Sequence, residues 1–335
     1  MKSKRLPKTL IGICLVLVLA LALPLTSACA PAEETPTPAA WEPPKALQWI
    51  TCGTSSTGFI SSSAMVGPLG EISGVEFRVL PGAQTMDRAV PLKDGSCPIG
   101  MVTATDTYTA LEGALEFAEP GWGPQSWRNV YTGGPITQGI FTQGDSGIKT
   151  AADVKGRKYC SYPTYPSVHI YYMTAFLAYC NLTWDDIEPI EVGGYADGLN
   201  AVLSGKAELA FASATAPQVY ELEASIHGLQ WIPMPASETA AWDRFHEVNP
   251  FFYPHTDTNV AGASADNPAV IWAYDYGVRC YHWQDENLVY WATGLLWDNY
   301  DAYKDTHPFL VGWTHEHQLD IGAWFCPWHE GSVKY

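Results

Sequence analysis

One arrangement of apolar and polar positions occurs twice in this chain, 110 residues apart. Residues 95–105 read Gly-Ser-Cys-Pro-Ile-Gly-Met-Val-Thr-Ala-Thr, and residues 205–215 read Gly-Lys-Ala-Glu-Leu-Ala-Phe-Ala-Ser-Ala-Thr. Each copy opens on a Gly able to end a helix. Each continues as a short apolar run of the kind that forms a buried strand. Each closes on a hydroxyl-rich turn that can cap a new helix. Gly82 precedes the first copy and Gly193-Gly194 the second, each after another strand-like run. Two matching strand–helix–strand units predict two similar lobes, and facing loops predict a cleft between them. Chance similarity of two ordinary units is the plainer alternative.

The same periodicities lay out the rest of the body. Strands are expected at Leu47–Cys52, around Val75-Phe77-Val79, and at Cys97–Thr103, Arg157–Ser161, Glu188–Val192, Leu209–Ala212 and Leu229–Met234. Helices are expected at Phe59–Leu69, Gln84–Lys93, Val168–Cys180, Ala196–Leu203 and Ala216–Ala224, with a short one at Thr150–Val154. Ser237 is a candidate cap for a helix that Pro250 stops. Val130–Thr142 contains a long extended stretch, Pro268–Tyr281 is strand-like, and Glu286–Asp301 is amphipathic. Strands alternating with helices predict an α/β fold with mainly parallel sheets.

The first residues read as an address. Lys2–Lys8 is basic, and Leu10–Leu23 is an apolar stretch of 14 residues, short of a bilayer span and suited to a signal-peptide core. Leu25-Thr26-Ser27-Ala28-Cys29 resembles the lipobox of bacterial lipoproteins, although Thr26 stands where Leu is usual. Cys29 is therefore the candidate lipidation site, with plain signal cleavage as the alternative. Either implies export, to the outer face of the cytoplasmic membrane or the periplasm. Residues 30–46 carry five prolines and read as an extended tether.

Charge narrows the partners. The formal net charge is −17, with 18 basic and 35 acidic residues. The first 28 residues hold four of the basic groups and no acid, so their removal leaves 14 against 35, a balance of −21. Such a body repels nucleic acid and anionic membrane surfaces. Six cysteines remain beyond Cys29, namely Cys52, Cys97, Cys160, Cys180, Cys280 and Cys326. They are scattered through apolar runs and read mostly as buried thiols, with Cys280–Cys326 the best candidate bridge.

Several segments, in order, resemble one family. Residues 144–158 (GDSGIKTAADVKGRK) look like the entry to the second lobe of periplasmic solute-binding proteins. Gly53–Gly58 is similar to the Gly-Ser/Thr loop of the TAXI branch of TRAP-transporter receptors. Residues 249–254 with Ala261-Gly262, and residues 326–335, resemble further segments of that branch. The resemblance spans roughly 47–335. It implies a two-lobed periplasmic-binding-protein-like (type II) α/β fold, each lobe a mainly parallel sheet flanked by helices and joined by a hinge. The expected organisation is a signal and lipobox over 1–29, a tether over 30–46, lobe 1 over 47–138 plus 265–335, and lobe 2 over 139–264. The implied function is capture of a small solute for a TRAP-type ion-coupled permease, without catalysis and without a cofactor. One departure stands out. The second-lobe loop, usually Gly-rich, is Tyr162–Ser167 here, with two Tyr and two Pro, which argues against a backbone anion nest at that loop.

Ligands of open α/β sheets bind at the carboxyl ends of strands. The candidate residues are Thr54, Ser55, Ser56, Thr57, Gly58 and Phe59 on the first loop, and Thr105, Asp106 and Tyr108 after the third strand. Tyr162, Thr164, Tyr165 and Ser167 on the second-lobe loop, with Thr215 and Gln218 beyond the second repeat, complete the set. The first loop leads into a helix N-terminus, which favours an anion, and the tyrosines offer flat walls and phenol donors. Helix capping and ordinary packing are the plain alternatives. The expected ligand is a carboxylate with an apolar or aromatic body, and a cation in an aromatic cage is the rival. Hinge closure is expected across Gly134–Thr142 and Asp266–Tyr276.

Other chemistry is weakly signalled. No GxSxG, HExxH, GxGxxG or P-loop pattern occurs. His315, His317 and His329 with Glu316 could hold a metal, but the stretch reads as solvated surface. An exported enzyme or a metal-binding lipoprotein on the same fold, or a scaffold lacking a ligand, are the alternatives.

Overall fold

The computed structural model describes residues 41–319 and 326–335. The expected signal segment, Cys29 and most of the tether lie outside them. Residues Pro43–Tyr335 form one compact unit.

The first half of the repeat runs β1 (Ala46–Thr51), α1 (Thr57–Ser73), β2 (Glu76–Pro81), α2 (Thr85–Asp94), β3 (Ile99–Val102) and α3 (Ala104–Glu112). A long central strand follows, β4 (Trp127–Gln143). The second half then repeats the order. It runs β5 (Lys158–Ser161), a helix over 166–179 that we call α4, β6 (Glu188–Glu191), α5 (Tyr195–Leu203), β7 (Ala210–Ser213) and α6 (Pro217–Glu223). The middle of α4, His169–Thr174, is a π-helical turn. Next come β8 (Leu229–Trp231), α7 (Thr239–Val248), β9 (Tyr253–Asp257), β10 (Ala269–Tyr281) and α8 (Glu286–Asp298). Short helical turns lead to the C-terminus.

The large sheet is mixed and runs β2-β1-β3-β10-β4-β7, with β9 also on β10 and β8 also on β4. Pairing is parallel within β2-β1-β3 and antiparallel where β10 meets β3 and β4, and where β4 meets β7. β5 and β6 pair in parallel, and Tyr159 bridges to Leu209 just before β7. The two halves are thus mirrored about the β10–β4 pair, each receiving one long strand beside its third short strand. Of the stretches expected to cross between the lobes, Gly134–Thr142 lies within β4 and Asp266–Tyr276 overlaps β10 from Ala269 onward. Fully buried Trp49, Trp127 and Trp272 anchor β1, β4 and β10, and burial of such side chains is the main favourable term in folding.

Local chemistry explains the element ends. The α1 helix starts at Ser56, whose hydroxyl accepts the Phe59 N–H at 3.1 Å. It stops at Gly74, where φ is 73° and the N–H returns to the Gly70 carbonyl. Most expected elements fall within a few residues of those observed. The hydroxyl-rich turn that closes the first repeat copy does cap a helix, α3, through Thr103, whereas β9 is not among the expected elements because its sequence has no clear apolar period. Ser237 is not the cap of α7, which begins after Glu238.

All six cysteines among the described residues are free thiols, five of them buried, as the apolar runs around them suggest, and the candidate Cys280–Cys326 bridge is not formed. The Cys326 thiol instead lies 3.8 Å from the Trp127 carbonyl, and burial raises both thiols' pKa. The histidines considered for a metal are dispersed. His315 stacks on Trp297 with ring centres 4.1 Å apart. His317 meets the Gly133 carbonyl, and His329 accepts the Gly331 N–H. Among the described residues no group of three or more such side chains could hold a metal.

Candidate functional site

The tips of β1, β2, β5 and β6, together with the centres of β4 and β10, border a cavity of ≈ 310 Å³. It lies where facing loops of the two repeat units meet, the position that open α/β sheets use for ligands.

From the first half, Gly53–Thr57 forms one wall and leads into α1. Ser56 caps one N–H of that helix, and helix geometry leaves the others of the first turn without intrahelical acceptors. From the second half, Gly193, Gly194, Tyr195, Ala196 and Asp197 form a facing wall. Gly194 is the residue before α5, and no side chain caps that helix. Two helix N-termini, one with a neutral cap and one uncapped, therefore border a single space. Their partial positive charges favour an anion.

Arg88 also lines the cavity, yet its side chain is completely buried and almost fully engaged. Its Nε donates to Asp106 Oδ2 at 3.0 Å and its Nη2 to Asp106 Oδ1 at 2.7 Å. Its Nη1 donates to the Gly82 carbonyl at 2.6 Å, and its Nη2 to the Tyr165 hydroxyl at 2.9 Å. Four of about five guanidinium N–H donors are spent. Burial works to lower the Arg88 pKa, but the adjacent Asp106 carboxylate outweighs it and holds the guanidinium charged. The charge is neutralised inside the protein, and the bidentate geometry holds it rigidly.

Aromatic rings supply much of the remaining wall: Tyr165, Tyr172, Tyr195, Phe211, Tyr274 and Tyr276. Burial pushes the phenol pKa upward for every one of these tyrosines. They are protonated at neutral pH and present O–H donors. Burial likewise raises the Cys52 thiol, which lies 2.9 Å from the Tyr276 hydroxyl.

Hydrogen bonds tie the two repeat units together around this space. Thr57 Oγ1 meets Ser213 Oγ at 2.6 Å and Thr215 Oγ1 at 2.9 Å. Thr85 Oγ1 meets Ser167 Oγ at 3.0 Å. Thr105 Oγ1 donates to the Tyr172 hydroxyl at 3.2 Å. With the Arg88–Tyr165 bond, these contacts describe a closed arrangement.

Of the residues expected from the sequence, Thr54, Ser55, Ser56, Thr57 and Tyr165 line the cavity. Others stand directly behind it. Asp106 holds Arg88, Thr105 holds Tyr172, Ser167 holds Thr85, and Thr215 holds Thr57. Gly58 packs behind the wall, where an added Cβ would come within 3.1 Å of Thr51 and Tyr276. Phe59 is half-buried on α1 and does not line the cavity. Tyr108 sits edge-on to Tyr171 and against Phe251, away from it. Thr164 is exposed and donates to the Gly193 carbonyl at 3.3 Å. Gln218 lies on α6, outside the cavity wall.

Tyr162 departs most from expectation. It points into the core rather than forming a wall, is 0% exposed and packs its ring on Phe211. Its hydroxyl lies over Gly198, the space a side chain there would need.

Sequence reasoning missed Arg88, Gln138, Tyr172, the Gly193–Asp197 wall, Tyr274 and Tyr276. A signal existed for one of them. Gly82 and Gly193-Gly194 occupy matching places in the repeat, and Ala83 and Gln84 line the cavity just as Gly193 and Gly194 do.

Comparison with known proteins places the chain. Among curated proteins none matches. A structure described as a periplasmic transporter superposes with a TM-score of 0.53 at 13% identity, covering 84% of this chain and 85% of its own. The periplasmic aliphatic sulphonate binding protein SsuA from Escherichia coli gives a TM-score of 0.44 at 15% identity, covering 82% and 84%. The first likeness agrees with the two-lobed α/β architecture of the Venus-flytrap type, its mixed sheet flanked by helices. At the level of sequence, the model of the NMT1-like family matches residues 63–335. With a match of that extent, the chain belongs to the NMT1-like family.

Proposed function

We propose that this protein is an extracytoplasmic solute receptor. It captures a small organic carboxylate in the cavity between its lobes and delivers it to a membrane transporter, which the segment resemblances suggest is an ion-coupled permease of the TRAP type. One observation carries the reading: the N-termini of α1 and α5 approach one cavity from opposite halves, while its buried cation is already paired with Asp106. An anion there would be held by backbone N–H groups and hydroxyls. The tyrosine walls suit an apolar or aromatic body.

The cycle follows from the same contacts. A solute touching Gly53–Thr57 and Gly193–Asp197 meets both walls only when the halves are closed, so binding shifts the population toward closure. We take the lobes as 47–138 with 265–335, and 139–264, with β4 and β10 as the hinge strands. Thr54, Ser55, Ser56, Thr57 and Tyr165 are the expected contact residues, and Cys29 the expected lipid anchor.

A thermal-shift screen of the purified protein tests the ligand class. Millimolar aromatic and branched carboxylates raise Tm if the reading is right, by the mass-action stabilisation of the native state. Stabilisation by quaternary ammonium compounds alone would move the assignment to a cation in the aromatic cage.

A further inference from the structure

The cavity holds a polar pair that the closed protein leaves incomplete. Gln138 sits on β4 with β10 on one side and β7 on the other, opposite Trp272 and Ser213 respectively. Its side chain lines the cavity although the residue is only 5% exposed. Its Nε2 donates to the Tyr274 hydroxyl at 3.2 Å, but its buried Oε1 has no hydrogen-bond partner among the described residues.

Tyr274 extends the argument. A relay of hydroxyls runs Thr105 to Tyr172 at 3.2 Å and Tyr172 to Tyr274 at 3.1 Å. The Tyr274 oxygen thus accepts from Tyr172 and from Gln138, and neither bond uses its own proton. Burial keeps that phenol protonated. A spare acceptor on Gln138 therefore stands next to a spare donor on Tyr274, and both residues face the cavity. Turning the amide around does not complete the pair. Tyr274 then donates to Oε1, and the amide protons of Gln138 are left over. A buried polar group without a partner costs free energy. A ligand that completes this pair gains what an apolar ligand forfeits.

We infer that Gln138 and Tyr274 form a specificity subsite for a hydroxyl on the solute, separate from its anionic group. A hydroxyl donates and accepts at once, so it answers either setting of the amide. A methyl group or hydrogen in its place leaves the pair unmet. Sites built to bond a substrate hydroxyl discriminate strongly against the analogue lacking it. The subsite lies on the two strands that both halves share, so it does not depend on which loop closes first. This inference rests on the cavity being a solute site, and extends that reading from charge to the ligand's polar pattern.

The test uses isothermal titration of the full-length protein with matched pairs differing by one hydroxyl. The anionic pair is 3-phenylpropanoate and 3-(4-hydroxyphenyl)propanoate. The neutral pair is phenylacetamide and 4-hydroxyphenylacetamide, and the cationic pair is phenethylamine and tyramine. The hydroxylated member of the pair that binds is expected to be at least about tenfold tighter. Gln138→Leu should bring it down to the level of its partner. Tyr274→Phe, which keeps the ring and removes the hydroxyl with both its donor and its acceptor roles, should do the same and covers the case of a Leu variant that folds poorly. If the anionic pair fails while another pair shows the Gln138-dependent preference, the carboxylate reading falls and the hydroxyl subsite stands. If no pair shows a preference that Gln138→Leu or Tyr274→Phe removes, the subsite is overturned.

Discussion

The unit from β1 to α3 and the unit from β5 to α6 have the same order of elements, yet they meet the cavity with different chemistry. In the first unit helix ends are capped by side chains. Ser56 caps α1, the Asp87 carboxylate accepts the Gln84 N–H at the start of α2, and Thr103 and Asp106 form a capping box on α3. In the second unit α5 and α6 begin without a side-chain cap, and the 166–179 helix begins after Tyr165 with a proline in its first turn. The first unit also buries an ion pair, Arg88–Asp106, while the second contributes a hydroxyl, Tyr165, to that pair. The lesson is that repeat architecture supplied the cavity, and divergence of the caps supplied its polarity. Both helix starts border the cavity, α1 with a neutral side-chain cap and α5 with none but with Asp197 in its first turn.

The largest test of that asymmetry is Asp106→Ala. It strands the Arg88 charge inside the protein, so the unfolding free energy in urea should fall by about 3–5 kcal/mol. Gln218→Ala, on the uncapped α6 of the second unit, should change it by less than about 1 kcal/mol. Similar losses at the two positions would erase the distinction drawn here.

A smaller contrast compares the helix starts. Ser56→Ala removes the α1 cap and should cost about 1 kcal/mol. Gly194→Ala should leave stability unchanged or slightly raised. Its φ is −179°, an extended conformation any residue adopts, and an added Cβ meets nothing within 4 Å. A loss at Gly194 matching that at Ser56 would mean that α5 is capped in a way the geometry does not reveal.

The smallest effect is a pH dependence to which a histidine of the second unit contributes. The His169 ring stacks on Trp184 with centres 4.4 Å apart, and its Nδ1 accepts the Tyr162 N–H at 3.3 Å. Burial lowers its pKa from the usual 6.5. A depressed folded-state value means stability that is complete above the unfolded pKa and lost as pH falls through the folded one. Denaturation midpoints should therefore decline below pH 6.5. His169→Phe should reduce that decline, and an unchanged slope in the variant would assign it to His307 and His329, whose pKa values burial also lowers, or to the carboxylates. Asp153 and Asp186, lowered by hydrogen bonds from Lys149 and Thr150 and from Lys155 and Thr183, act in the same direction at more acidic pH.

Much of the architecture was legible because it depends on local period and punctuation. The apolar runs, the glycines at 95 and 205 and the strand-like stretch at Pro268–Tyr281 gave element order and type. The site was legible only where it coincides with a loop that follows a strand. Thr54 to Thr57 were found that way. Tyr162 and Tyr165 carry the same sequence signal, three residues apart, yet they point in opposite directions. Gly198 makes room for Tyr162 in the core, and Arg88 draws Tyr165 to the cavity. Neither neighbour is near them in sequence. Arg88 itself sits mid-helix, on the same face as buried Thr85, Ala89 and Leu92, but its charge reads as a solvated group until Asp106 is seen to meet it.

The sequence alone determined the repeat, the alternation of strands and helices, and the acidic balance. These follow from backbone periodicity and summed charge, which need no three-dimensional context. Only the tertiary structure decided which polar groups are spent and which remain. Arg88 is neutralised by Asp106, 18 residues away, and Gln138 is left half-satisfied by Tyr274, 136 residues away. Hydrogen bonding is a short-range, directional interaction, so its outcome depends on which atoms packing brings within about 3 Å of one another.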